Sequence, residues 1–269
     1  MVRLRLDIGY DGTDFAGWAR QPGQRTVAGE IATALGHLFP GFGGLTVAGR
    51  TDAGVHATGQ VAHVDVPAAT WQARSVDVLW RFRGILPPDV RIKSVALVDA
   101  TFNARFAALS RRYVYRVSDT VWGVEPVRRI DTLAWPRPLD LAAMRAAATV
   151  LLGQHDFAAF CKRREGATTI RALQRLDWQR EADGVLAVTV VADAFCHSMV
   201  RSLVGAMLAV GDGRRDADWL AGLLTLGQRS GEVMVAAAHG LTLAEVEYPT
   251  ASEWDARAAQ TRRMRTLDA

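Results

Sequence analysis

Apolar and polar residues alternate from the second position, with Val2, Leu4, Leu6 and Ile8 set against Arg3, Arg5 and Asp7. A period of two predicts a half-buried strand. Tyr10-Asp11-Gly12-Thr13 then turns the chain, and residues 14–25 carry Trp18, Arg20 and Arg25 without a period. At Thr26 the pattern changes. Val27, Ile31, Leu35 and Leu38 recur at helical spacing, a capping residue precedes them, and Pro40-Gly41 ends the run. A short strand is expected over 45–48 and a longer one over about 58–66. In the latter, Ala62, Val64 and Val66 face one way and Val61, His63 and Asp65 the other. Ser75 stands where it would cap a helix containing Val78, Leu79 and Phe82, stopped by Pro87-Pro88. A strand over about 91–98 closes this half.

The same order recurs downstream. Tyr113, Tyr115 and Val117 alternate with Arg112, Val114 and Arg116. A long connection with Trp122, Trp135 and several prolines leads to a helix with Leu141, Met144, Ala148 and Leu151 on one stripe, stopped by Gly153. Strands are expected over about 170–180 and 185–191. Ser198 is expected to cap a helix with Met199, Leu203, Ala206 and Val210, and another helix carries Trp219, Leu220, Leu223 and Leu224. The last strand spans 241–248. Each half reads βαββαβ, the split βαβ, ferredoxin-like arrangement. The expected fold is therefore α+β: two tandem halves sharing a continuous, mostly antiparallel sheet, with helices on one face and a central cleft on the other. The expected divisions are 1–105, 106–249 and a polar, arginine-rich tail over 250–269, frayed or loosely helical.

Composition narrows the classes. Apolar residues make up 49% of 269, enough for a real core. No apolar run approaches the roughly 18 residues of a membrane span. The chain opens on a strand pattern, so no signal peptide is expected and a cytoplasmic location is. Two cysteines, Cys161 and Cys196, are too few for a disulfide scaffold or a four-ligand zinc site, and both are expected to be reduced. Cys196-His197 lacks further ligands at a familiar spacing and reads as packing at a helix start, so no metal and no cofactor are expected. The net charge is +4, and of 32 basic residues only Lys93 and Lys162 are lysines. Arginine forks match phosphates and stack on bases, which suits an RNA partner, although a codon bias toward arginine accounts for the count equally well.

The densest chemistry lies in Ala48-Gly49-Arg50-Thr51-Asp52-Ala53-Gly54-Val55-His56. One carboxylate sits in a glycine-flanked turn with an arginine two residues before it and a histidine four after. Such a loop can hold an acid against an anionic substrate; an aspartate that only caps a turn is the alternative. The string Gly-Arg-Thr-Asp-Ala-Gly-Val-His, continuing to Gly59-Gln60-Val61, resembles the active-site signature of the tRNA pseudouridine synthase A (TruA) family. Three further stretches are similar to that family: Tyr10–Thr13 with Gly17-Trp18; Ala104–Phe106 with Arg111–Tyr115; and Asp193–Arg201. Together they run from about residue 2 to 248. Ala19, Ala28 and Thr242 depart from the residues common in relatives, which bears on RNA docking and not on the nucleophile.

The resemblance implies an enzyme that isomerises uridine to pseudouridine at positions 38, 39 and 40 of the tRNA anticodon stem-loop, working as a homodimer without a cofactor. It implies Asp52 as nucleophile, Arg201 as the partner that keeps it ionised, and Tyr113 against the uracil. Arg50 would touch the RNA backbone or fill the gap left by the base. His56 and Gln60 would contact RNA or hydrogen-bond the loop. Opposite charge lowers a carboxylate pKa, which is the use an arginine would have here; an ordinary helix-surface arginine is the alternative for Arg201, and a core tyrosine for Tyr113. Two other classes compete. A retaining nucleoside or glycoside hydrolase would want a second carboxylate about 5 Å away, and the other motifs supply none in a convincing role. A noncatalytic RNA-binding module would not need Asp52 at all.

Overall fold

The computed structural model describes residues 1–162, 166–263 and 266. They form two compact units, one built from Met1–Leu109 with Leu243–Arg263, the other from Ser110–Thr242. The architecture is mixed α+β with mostly antiparallel strands.

In the first unit β1 (Val2–Tyr10) lies at the centre. Its Leu4, Leu6, Ile8 and Tyr10 are buried, as the alternation requires. Each such Leu or Ile contributes roughly 1.5–3 kcal/mol by leaving water. On the other face Arg3 grips Asp65 through two bonds of 2.7 and 2.8 Å. Helix α1 (Val27–Leu38) follows, with the Thr26 hydroxyl accepting the Gly29 N–H at 3.2 Å and Val27, Ile31, Leu35 and Leu38 buried. Then come β2 (Thr46–Val47), β3 (His56–Val66), α2 (Ala68–Arg74), α3 (Val78–Ile85) and β4 (Val90–Val98). β1 pairs antiparallel with β3 on one side and β4 on the other, and β2 pairs with β3. β4, β1 and β3 are neighbours in that order and β2 also pairs with β3, as in a split βαβ unit.

Helix α2 has no counterpart in the sequence pattern, because none of its residues is buried. Ser75 ends that helix and does not begin the next; Asp77 precedes α3 instead, which contains Val78, Leu79 and Phe82 as expected, with Leu79 exposed. β3 is buried on both faces, His63 included, whose Nδ1 accepts the Ala104 N–H at 3.0 Å.

The second unit contains β5 (Ser110–Ser118), β6 (Leu133–Ala134), α4 (Leu141–Ala148), β7 (Gly153–Asp156), β8 (Ile170–Arg180), β9 (Leu186–Ala192), α5 (Met199–Gly211) and α6 (Ala217–Leu223). β5, β9, β8 and β7 are neighbours in that order, all antiparallel. β6 and β7 are too short for a period to reveal. Every residue of α5 except Arg201 is buried. Its small residues admit close neighbours: a side chain at Gly211 would collide with Met144 of α4. Ser198 does precede α5 but does not cap it. It adopts a left-handed conformation, φ +63°, and its side chain makes no cap bond.

Strand β10 (Leu241–Glu247) opens with two residues of the second unit and continues in the first. It is followed there by α7 (Trp254–Thr261). This part of the tail is packed: Trp254 meets the buried Phe102 ring edge-on at 4.8 Å, and the Tyr248 hydroxyl donates to the Ala104 carbonyl at 2.6 Å. The expectation for 264, 265 and 267–269 lies outside the described residues.

Candidate active site

The Asp52 loop leaves the sheet after β2 and returns at His56. Its turn is closed by the Val55 N–H on the Asp52 carbonyl, with Gly54 at φ +76°. The turn after β1 lies directly against it. The Trp18 N–H donates to the Thr51 carbonyl at 3.0 Å, and the Gly54 N–H to the Phe15 carbonyl at 3.3 Å. Two glycines make this approach possible. A Cβ on Gly12 would fall inside the Val55 backbone. One on Gly17, itself at φ +97°, would come within 2.9 Å of the Thr51 carbonyl oxygen. The opening Tyr10–Trp18 stretch is therefore the bed on which the acidic loop rests.

The polar side chains of the loop divide sharply. Gln60 is completely buried and donates to the Gly49 carbonyl at 2.8 Å and the Tyr10 hydroxyl at 3.3 Å. The Tyr10 hydroxyl bonds Thr51 Oγ1 at 2.8 Å. Burial pushes the Tyr10 phenol up to about 12, against the bonds from Thr51 and Gln60, so it stays protonated. His56 is buried too. Its Nδ1 accepts the Gly12 N–H at 2.9 Å and lies 3.1 Å from Asp11 Oδ1. Burial alone would raise the Asp11 carboxyl, but bonds from Thr13 and the nearby His56 hold it below its ordinary value. Gln60 is thus bonded to the loop at Gly49, and His56 to the facing turn at Gly12. Asp52 is partly exposed, and Arg50 is exposed with no side-chain partner among the described residues. Arg25 is engaged elsewhere, by Asp89 at 2.7 and 2.9 Å and Glu30 at 2.8 Å.

In the second unit, two sequence motifs about eighty residues apart meet. Arg111 on β5 donates to the Asp193 carbonyl at 2.6 Å. Tyr113, two residues on and buried, meets Phe195 edge-on, with ring centres 5.2 Å apart. The Asp193 carboxylate in turn accepts the Ala194 N–H at 2.7 Å and the Ala172 N–H at 3.2 Å. Tyr115 shares the Tyr113 face. Its hydroxyl donates to the Ala237 carbonyl at 2.8 Å, and burial raises its pKa while the positive charge of Arg201 opposes the rise. Arg201 donates through Nε to the Ala236 carbonyl at 2.7 Å.

Cys196, expected to be reduced and merely packed, is instead joined to Cys161, with Cα atoms 5.7 Å apart. The Lys162 N–H donates to the His197 carbonyl beside this bridge at 3.1 Å. Two cysteines 35 positions apart give no local signal of pairing. Among the described residues no three of His, Cys, Asp and Glu gather as a metal site would require.

Residues 147–249 match the family profile described as tRNA pseudouridine synthase, a span that holds Asp193–Arg201 but not Asp52. Similarity to individual proteins extends over both units. The tRNA pseudouridine synthase A of Frankia casuarinae is 59% identical over 267 residues, covering 98% of this chain and 96% of its own. That of Streptomyces griseus is 57% identical over 269 residues, covering 99% and 95%. That of Mycobacterium leprae is 51% identical over 276 residues, covering 98% and 96%.

Proposed function

The chain belongs to the tRNA pseudouridine synthase A family, and from that premise we propose that it isomerises uridine to pseudouridine at positions 38, 39 and 40 of the tRNA anticodon stem-loop, with Asp52 as nucleophile. The N1–C1′ bond of the uridine breaks, the uracil turns, and a C5–C1′ bond forms. C5 gives up a proton and N1 gains one, so no electrons are exchanged with an outside group. A uridine within a stem must first leave the stack, at a cost of a few kcal/mol, roughly, which favours weakly paired positions. Asp52 attacks C1′ or C6 and holds one fragment while the other rotates, a covalent role open to carboxylates. Arg201 pairs with Asp52 and keeps it ionised. Tyr113 lies on the uracil, and its hydroxyl assists removal of the C5 proton. Arg50 contacts the RNA backbone or the space the base has left. The working form is a cytoplasmic homodimer.

The observation that carries this reading is the division of labour in the loop. Thr51, His56 and Gln60 are buried and bonded, while Asp52 is partly exposed and Arg50 exposed, an acid and a cation two residues apart on a braced turn. The test is to incubate the protein with unmodified tRNA transcripts and map pseudouridine base by base. Asp52→Asn should bind tRNA and make no pseudouridine. Modification away from 38–40 would overturn the substrate position while keeping the chemistry. Released uracil would indicate a hydrolase, and cellular effects that survive Asp52→Asn would indicate an RNA-binding module.

A further inference from the structure

We infer that Tyr10 is a positioning residue for the reaction: with Gln60 it clamps Gly49 and Thr51, the residues either side of Arg50, and so aims Asp52. The inference rests on Asp52 being the nucleophile.

The orientation of the Gln60 amide follows from its partners. The Gly49 carbonyl can only accept, and the Val61 N–H can only donate, to Gln60 Oε1 at 3.2 Å. The Gln60 amide nitrogen is thereby turned toward Gly49 and toward the Tyr10 hydroxyl. The Tyr10 hydroxyl accepts from Gln60 and shares a hydrogen bond with Thr51 Oγ1 at 2.8 Å. Gln60, Tyr10 and Thr51 are thus linked in one hydrogen-bonded chain.

Both anchors rise from paired strands. Tyr10 ends β1 and Gln60 lies within β3, and these strands are in register from Val2↔Val66 to Ile8↔Gln60. Three side chains of the clamp are buried, at 6% exposure for Tyr10, 7% for Thr51 and 0% for Gln60. Tyr10 therefore has little surface to offer an RNA, and water cannot readily replace its bond. The Thr51 carbonyl is held separately by the Trp18 N–H. With main chain and side chain both tied, Thr51 has little freedom to rotate, and Asp52 departs from a fixed peptide. Reacting groups lose about a hundredfold in rate when misplaced by 1 Å.

The test uses the full chain and three readouts: single-turnover rate at saturating tRNA, tRNA affinity and Tm. Tyr10→Phe keeps the ring that meets Trp18 at a 6.0 Å centre distance and removes only the hydroxyl. It should lose ten- to a hundredfold in rate, with affinity within twofold. Thr51→Val should lose a similar factor, Thr51→Ser should stay within threefold of wild type, and the Tyr10→Phe/Thr51→Val pair should fall no further than the worse single variant. A wild-type rate for Tyr10→Phe, or losses that multiply in the pair and follow Tm, would overturn the inference. Asp52→Asn, assayed alongside, separates the two claims. If it still makes pseudouridine, the nucleophile reading fails; if it is inactive while Tyr10→Phe is fully active, only the positioning role fails.

Discussion

His63 illustrates how a single buried side chain carries a pH signature. Its Nδ1 accepts the Ala104 N–H, so the ring nitrogen facing that amide must be unprotonated. Burial, aided by the positive Arg3, lowers its pKa to about 4 from 6.5, with Asp65 pulling the other way. Between those values the unfolded chain binds a proton that the folded chain refuses, so stability rises with pH across this window. The contribution is full above about pH 6.5 and is lost as pH falls toward 4. It amounts to up to about 3 kcal/mol at 1.36 kcal/mol per pKa unit. We expect Tm to fall on acidification through this range and His63→Gln to flatten the fall; equal slopes for both proteins would exclude His63 as the cause. The identities of Asp52, Arg50 and Gly54 were legible as a loop motif. The inward turn of Gln60 was not, since it depends on Tyr10 fifty residues earlier.

Among the elements, those with one buried face were readable and the others were not. β1, α1 and β9 each show a period that matches their burial. α2 buries nothing and so leaves no stripe, whereas α5 is buried nearly all round, and a helix of that kind has no polar face to mark its orientation. The Arg201 position on it was consequently ambiguous in sequence. The segment leading into α5 is tied by the Cys161–Cys196 bridge. Closing a loop of 35 residues should stabilise the oxidised protein by about 3–4 kcal/mol on chain-entropy grounds, taken as an upper figure. At about 2–4 °C per kcal/mol for a chain of this size, Cys196→Ser should lower Tm by up to about 16 °C. A thiol reductant should shift the wild-type protein equally and the variant not at all. A reductant shift in the variant would place the effect elsewhere.

At the scale of the whole molecule, the arginine count overstates the charge on offer to RNA. Arg3, Arg25, Arg128, Arg180 and Arg214 are all paired with carboxylates of the chain itself. Exposed pairs of this kind contribute little to stability, with a median of about 0–1 kcal/mol, but they remove cations from the field a phosphate would meet. Arg50 has no such partner among the described residues. Arg50→Ala should weaken tRNA binding and reduce the slope of log affinity against log salt by about 0.7–0.9, the increment for one phosphate contact. An unchanged slope would argue that Arg50 acts on the vacated base position instead. The order of strands, the amphipathic helices and the Asp52 motif follow from residues near one another in sequence, whose periods and turn preferences are local properties. The Gly12 and Gly17 contacts, the Tyr10–Thr51–Gln60 clamp, the Arg111–Asp193 bond and the cysteine bridge join residues tens of positions apart. No local period encodes such pairings, because they arise only when strands in register bring distant turns to the same end of a sheet.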